Sequence, residues 1–517
     1  MSSYIGVNDV PGYVVPVVLI TVSLYWLWKR EMARVPGPRG LPIIGNIPQV
    51  TGGGFDQKLQ RFRDRYGNLF RLKLGEMTTI FVFGLKNIEQ VLLGREENFN
   101  IRPNWLYIPD KVIQKKGLIW TNGEMWQRMR DLLTTTQTSP DTGQHTEKQI
   151  LAEVHHVVKL LSAETDPGKT GIDPGKTGID PRKTGIDPNC LFSASTFNIL
   201  SSFVFGQRFD VTEKDYSLLK DGIADLTERN KTQNPVNMFP SLGACMRRKR
   251  DEAIVKENDL FTILKKYLTS HENNCHENVP RDLMDTYIQQ TKQENDTDKL
   301  NTENNFLRSI LDMYIYGSEM TTSLLLWTIV YLVRYPDVQR KCHEEMDSVV
   351  GDRDLTTTDR VNGSLPYCAA VMREILRISS PAVMTTLHSN KKSSIVGGHL
   401  IPERSLVVCD LHNPRFDETV WENPSEFQPE RFLVKLSEEQ ERVASLSFGL
   451  GPRCCPARKL VDTAHFVYCM NLIRHFHISY FDRSKQIPLT SDYKGVSLKP
   501  TPFRVVFIPR EFPGSVS

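Results

Sequence analysis

The stretch Phe448-Gly449-Leu450-Gly451-Pro452-Arg453-Cys454-Cys455-Pro456-Ala457 decides how the rest of the chain is read. It sets a thiol just past a glycine turn and just ahead of an apolar, helix-like segment from Leu460 to Ile473. A thiol at a helix N-terminus meets free N–H groups and the positive end of the helix dipole, which favour the thiolate, and Arg453 adds positive charge. A thiolate held by backbone N–H groups suits one soft, anionic bond to iron. A single intracellular cysteine is by default a small buried hydrophobe. The flanking glycines, the arginine and the elements that follow reverse that default.

The pattern F-x-x-G-x-R-x-C-x-G resembles the haem loop of the cytochrome P-450 superfamily, and the chain matches it except at the last glycine, which is Ala457. Counting seven residues on from Phe448, the resemblance places the ligand at Cys455 and leaves Cys454 at a variable position. It implies haem b, with Cys455 as axial thiolate and metal ligand and with Phe448 and Arg453 in the loop that holds it. Haem iron bound by a cysteine thiolate receives electron density that favours O–O cleavage.

Other elements fall in the family's order. Glu374-Ile-Leu-Arg377 fits its E-x-x-R helix. An i,i+3 pair is by itself usually a surface ion pair of small worth. Its weight comes from Pro429-Glu-Arg431-Phe432, which resembles the P-E-R-F element whose arginine closes a buried triad with that pair. A planar guanidinium can hold two partners, so Glu374, Arg377 and Arg431 can lock a helix against an irregular segment. Trp126 and Arg130 resemble the W-x-x-x-R helix, where an indole N–H and a guanidinium four residues apart share one face and can reach a haem propionate. His388, twelve residues before Leu400-Ile-Pro402, sits where related microsomal enzymes carry a propionate-binding histidine.

The segment Phe306 to Arg334 reads as one long helix ended by Tyr335-Pro336. Its apolar part is too short to span a bilayer, so it is expected to cross the core. Tyr316-Gly317-Ser318-Glu319-Met320-Thr321-Thr322 aligns with the oxygen-binding signature A-G-x-(D/E)-T-(T/S). Glu319 keeps the acid, and Gly317 allows a helix distortion. Tyr316 stands where the family has a small residue, and Met320 where it has threonine. Thr321 lies about 100° further round a helix, so it can substitute only with a local bulge. Glu319 and Thr321 are the candidate catalytic residues.

The chain has 517 residues, 64 basic and 61 acidic, for a formal charge of +3. Such balance gives no support for nucleic-acid binding. Nine cysteines without C-x-x-C spacing suggest free thiols in a reducing compartment. Helix-like patterns cover 57–66, 145–163, 191–205, 251–269, 306–334, 336–350 and 365–378, with β-like runs at 69–84, 383–409 and 502–509. The fold class expected is mainly α with small β-sheets, the cytochrome P-450 fold, with an N-terminal transmembrane anchor helix. The organisation expected is an anchor over 1–34, a proline-rich hinge over 35–54, and one haem-thiolate catalytic domain over 55–517. The anchor rests on the uncharged run Tyr13 to Trp28 and the basic Lys29, Arg30 and Arg34 after it, which put the catalytic domain in the cytosol. Residues 166–188 are a tandem repeat of Asp-Pro-Gly-Lys-Thr-Gly-Ile. Thr170 stands where a phosphate-binding loop needs glycine, and proline every seven residues excludes a continuous helix. The repeat reads as a surface loop.

The resemblance covers nearly the whole chain and is closest to microsomal animal enzymes. It implies a monooxygenase of the endoplasmic reticulum membrane, single-pass, that inserts one atom of O2 into an apolar small molecule of steroid, fatty-acid or xenobiotic class. Its implied partners are an NADPH-dependent flavin reductase, cytochrome b5 as a further donor, and the lipid bilayer. Arg128, Arg458 and Lys459 are candidates for docking the reductase. Two other readings stay open at this point: a haem-thiolate isomerase or dehydratase acting on a peroxide, which needs no threonine at position 320, and a haem-binding protein that has lost catalysis.

Overall fold

A computed structural model describes residues 35–51, 54–94, 96–165, 185–229, 235–274, 279–293, 298–482, 484, 486–494 and 497–511, with seven further positions between Pro16 and Tyr25. The expected anchor over 1–34 is otherwise outside the described residues, as are 166–184 of the repeat. No helix among the described residues is long and apolar enough to cross a membrane.

Six helices frame the site: α1 (Gly123–Thr138), α2 (Pro188–Phe205), α3 (Lys299–Met313), α4 (Glu319–Arg334), α5 (Pro366–Ser379) and α6 (Arg458–His475). Local chemistry sets their ends. Asp187 caps α2 by accepting from the Asn189 N–H, Pro188 opens it, and Gly206 closes it in the left-handed region. From Thr321 to Val333 every residue of α4 is buried. A helix apolar on all sides belongs inside. The core cluster around it takes in α5, α6 and the helix Pro140–Thr165.

The strands are short: β1 (Leu69–Leu74), β2 (Met77–Val82), β3 (His388–Ser389), β4 (Ser394–Val396), β5 (His399–Ile401), β6 (Leu406–Cys409), β7 (Phe476–Tyr480), β8 (Ser491–Lys494), β9 (Ser497–Pro500) and β10 (Val505–Pro509). One sheet runs β1-β2-β6-β3; β1 pairs antiparallel with β2 (Leu69 opposite Val82), and β2 runs parallel to β6 (Val82 opposite Cys409). β9 is anchored on α4, because Ser323 Oγ and Trp327 Nε1 both donate to the Leu498 carbonyl, at 2.7 and 2.9 Å.

The mainly helical fold with small sheets agrees with the sequence expectation. The core-crossing segment departs from it. It begins earlier, at Lys299, and between α3 and α4 its backbone opens into a π turn, Tyr314–Ser318. The turn encloses Gly317, and Ser318 Oγ takes up the Tyr314 carbonyl. Single π turns of this kind recur at functional sites.

Candidate active site

The cysteine loop is shaped by two glycines in the left-handed region, Gly449 (φ 75°) and Gly451 (φ 72°). At Gly451 any Cβ would collide with the Leu92 carbonyl oxygen, so the loop packs there only as glycine. The Cys454 N–H donates to the Gly451 carbonyl (3.1 Å), and the Cys455 N–H to the Phe448 carbonyl (2.7 Å). This seats both thiols against the same cavity, with Cys455 two residues before the N-cap of α6, Ala457.

The electrostatics of Cys455 differ from the sequence expectation. Burial pushes its thiol up to about 11, and the Ala457 N–H and Arg130 only partly oppose it. Desolvation outweighs the N–H dipoles when no metal charge is added. Arg453 is turned elsewhere: its Nε donates to the Asn100 carbonyl (3.1 Å), its Nη2 to the Thr121 carbonyl and Asn122 Oδ1 (both 2.9 Å), and its guanidinium lies 3.9 Å from the Trp126 ring centre.

A cavity of about 300 Å3 separates the loop from α4. Trp126 and Arg130 of α1, His388 of β3, Arg453 and Arg102 meet at its rim. Arg130 Nη1 donates to the Cys454 carbonyl (2.8 Å), and its Nη2 lies 3.2 Å from Cys454 Sγ. Arg102 Nη1 donates to the Leu387 carbonyl (2.8 Å). None of the three arginines has an ion pair among the described residues. Arg453 Nη1 and Arg102 Nε are buried without a hydrogen-bond partner. Burial lowers Arg102 to about 10; burial, then Arg102 and Arg130, lowers Arg453 to about 8. His388 Nδ1 meets the Phe99 carbonyl at 2.9 Å, and burial holds the ring well below its ordinary value. Three guanidinium groups converging on a cavity with donors unspent fit a ligand with two carboxylates, as the propionates of haem are. The sequence pointed to every one of these residues except Arg102, a single arginine in Ile101-Arg102-Pro103 with no pattern around it.

Below the loop, the triad is closed. Arg377 forks Glu374 at 2.7 and 2.8 Å, and Arg431 Nε donates to Glu374 Oε1 at 3.1 Å. The Glu374 and Arg377 side chains are fully buried. The remaining donors of Arg377 go to the carbonyls of Arg415 and Pro424, and those of Arg431 to Glu422 and Asn423. Two guanidinium groups share the one carboxylate, and their remaining donors are taken up by backbone carbonyls, as a buried charged cluster requires.

Across the cavity, Tyr316, Gly317, Met320 and Thr321 form part of the wall. Thr321 is buried, and its hydroxyl makes no hydrogen bond among the described residues, whereas Thr322 bonds Thr196 at 2.7 Å. Glu319 is outside this lining. Its Oε2 lies 2.8 Å from Lys499 Nζ on β9. No sequence pattern pointed to Lys499, whose relation to Glu319 depends on how β9 sits on α4.

The family model for cytochrome P450 matches residues 35–507, which takes in the loop, the triad, the cavity and the π turn. The chain belongs to the cytochrome P450 family. Relatives run the length of this cytochrome P450. Mouse cytochrome P450 2U1 is 26% identical over 520 residues, covering 95% of this chain and 94% of its own. Chicken cytochrome P450 2H1 is 26% identical, covering 96% and 99%. Human cytochrome P450 2J2 is 25% identical, covering 93% and 92%. By family the protein is an oxidoreductase, a P450 monooxygenase with haem and a cysteine thiolate.

Of the candidates for docking a redox partner, Arg458 and Lys459 are exposed. Arg128 is half-buried and donates to Thr302 Oγ1 at 3.0 Å.

Proposed function

We propose that this cytochrome P450 inserts one oxygen atom from O2 into an apolar small molecule, with electrons from NADPH delivered by a flavin reductase and with cytochrome b5 as a second donor. Haem b held by a thiolate supplies the electron density that favours cleaving O–O. The rest is the work of the chain. Cys455 would supply the thiolate that holds the iron, with the Ala457 N–H directed at its sulfur. Arg102, Trp126, Arg130, His388 and Arg453 would hold the two carboxylates. The apolar wall excludes water from the substrate. Thr321, which lines the cavity and whose hydroxyl makes no hydrogen bond among the described residues, and the Glu319 carboxylate handle protons. The chain is held to the endoplasmic reticulum membrane by the uncharged run Tyr13 to Trp28, with the catalytic domain in the cytosol.

The observation that carries this reading is a thiol loop beside three arginines that have no ion pair among the described residues, all lining one cavity. The test is NADPH consumption with purified reductase over a panel of steroids, fatty acids and foreign compounds, with products identified. Reductase-dependent product supports the proposal. Turnover of organic peroxides alone, with no reductase-dependent product, overturns it.

A further inference from the structure

We infer that Tyr316 sets the width of the substrate slot, so that this enzyme selects its substrates by girth and admits a slender apolar end while refusing a bulky one. The inference rests on the haem-thiolate reading of the cavity. It concerns the wall facing Cys455, and two sets of contacts fix that wall.

The first set holds the backbone of the π turn. Tyr314 is fully buried, and its hydroxyl lies 2.7 Å from Ser201 Oγ on α2. At Gly317 Leu200 of α2 is in van der Waals contact, 3.5 Å from where a Cβ would stand. These two contacts hold the turn against α2. Tyr316 is carried between these two anchored residues, and helical side chains lean toward the N-terminus. Tyr316 and Leu118 both line the cavity and pack against the same cluster of buried side chains. Its phenol is near enough to Arg102 and Arg308 to interact electrostatically with both guanidinium groups.

The second set holds the opposite wall, the short helix Gly117–Trp120. The Gly117 N–H donates to Asn305 Oδ1 and the Ile119 N–H to Asp312 Oδ2, each at 3.1 Å. Asp312 is itself locked by Arg308, which also reaches Glu257 at 3.0 Å. At Gly117 a Cβ would stand 2.5 Å from Asp312 Oδ2 and 2.6 Å from Arg308 Cγ, so this wall already touches α3. It cannot recede to make room for a wide substrate. With both walls pinned, the free dimension between Leu118 and α4 is what the Tyr316 ring leaves. Met320, one turn on, lines the same cavity and extends the narrowing.

The experiment is optical titration of the haem band with two azoles of matched headgroup, 1-butylimidazole and 1-tritylimidazole. Wild type should bind the butyl compound at least about tenfold more tightly than the trityl compound, a difference of about 1.4 kcal/mol. Tyr316→Ala should erase that preference by tightening the trityl compound, and Tyr316→Phe, which keeps the ring, should retain it. If Tyr316→Ala does not load haem, Tyr316→Leu takes its place. An unchanged ratio in the Ala or Leu variant, or equal binding of both azoles by wild type, overturns the inference. The carbon-monoxide spectrum of wild type is recorded alongside. Loss of its thiolate-type red shift would sink the haem-thiolate reading instead, so the two failures are distinguishable.

Discussion

Lys499 holds Glu319: the ammonium nitrogen on β9 lies 2.8 Å from the carboxylate at the start of α4, and the pair is partly open to solvent. An ion pair of this exposure contributes about 0–1 kcal/mol to stability. Lys499→Met should therefore leave the melting temperature within a few degrees of wild type. Product formed per NADPH consumed should change, because the acid of the oxygen-binding signature is released from its partner. Unchanged coupling would show that the pair does no more than pin β9.

The buried triad should behave in the opposite way. Glu374→Gln leaves two buried guanidinium groups without their shared anion, and breaking a buried pair costs about 3–5 kcal/mol. The variant should express with little or no bound haem. Arg373→Ala, which removes an exposed pair with Glu441, should melt within a few degrees of wild type. Equal haem content in the two variants would contradict the role given to the triad.

The adjacent thiols can be separated spectroscopically. Cys455→Ser should lose the red-shifted band of the carbon-monoxide complex. Cys454→Ser should keep it, with haem affinity altered only through the lost contact to Arg130. The reverse pattern would move the ligand by one residue.

Met320 should limit coupling. A thioether cannot donate a proton, whereas a hydroxyl can. Met320→Thr should raise product per NADPH and lower released hydrogen peroxide. Positioned proton transfer is typically worth about 10²–10⁴ in rate, so the effect should be plain. Tight coupling in wild type with no gain in the mutant would assign the whole task to Thr321.

Acid should destabilise the fold through two histidines. His343, against the Ile473 carbonyl, is held down to about 4, and His465, against Thr328 Oγ1, to about 3, in both cases chiefly by burial. Each is neutral in the folded chain and binds a proton on unfolding below its ordinary value of about 6.5. The stability they contribute is complete above that value and is lost as pH falls toward the folded values, at up to about 1.4 kcal/mol per pH unit for each. Melting temperature measured from pH 7 to pH 4.5 should fall, and His465→Gln should flatten the slope. A parallel curve for the variant would remove His465 from the account.

Much of this was legible in the sequence because the chemistry is local. The spacing from Phe448 to Cys455, Glu374 with Arg377, and Trp126 with Arg130 are short-range patterns, and each proves to be a short-range geometry. The helices Lys214–Arg229 and Leu85–Leu92 lie outside the expected segments although their buried residues (Tyr216, Leu219, Ile223 and Leu226; Leu85, Ile88, Val91 and Leu92) recur at helical spacing. Arg102 and Lys499 were not legible. The side-chain partners of each come from segments far away in the chain, Leu387 for Arg102 and Glu319 for Lys499, and no local pattern marks such a residue. The π turn was half legible: Gly317 permitted it, but the contacts of Tyr314 with Ser201 and of Gly317 with Leu200, both on α2, hold the backbone where it opens.

The arginine rim also bears on the life of the chain before it works. Three cations driven together in a poorly solvated space repel one another, and a dianion relieves that only once it has arrived. A ligand that binds the folded form alone adds stability in proportion to the logarithm of its supply, about 4 kcal/mol at a thousandfold excess over its dissociation constant. Haem is then as much a chaperone of this protein as its cofactor. A cell short of haem should clear newly made chains quickly, and the amount of enzyme should follow haem synthesis as well as gene expression.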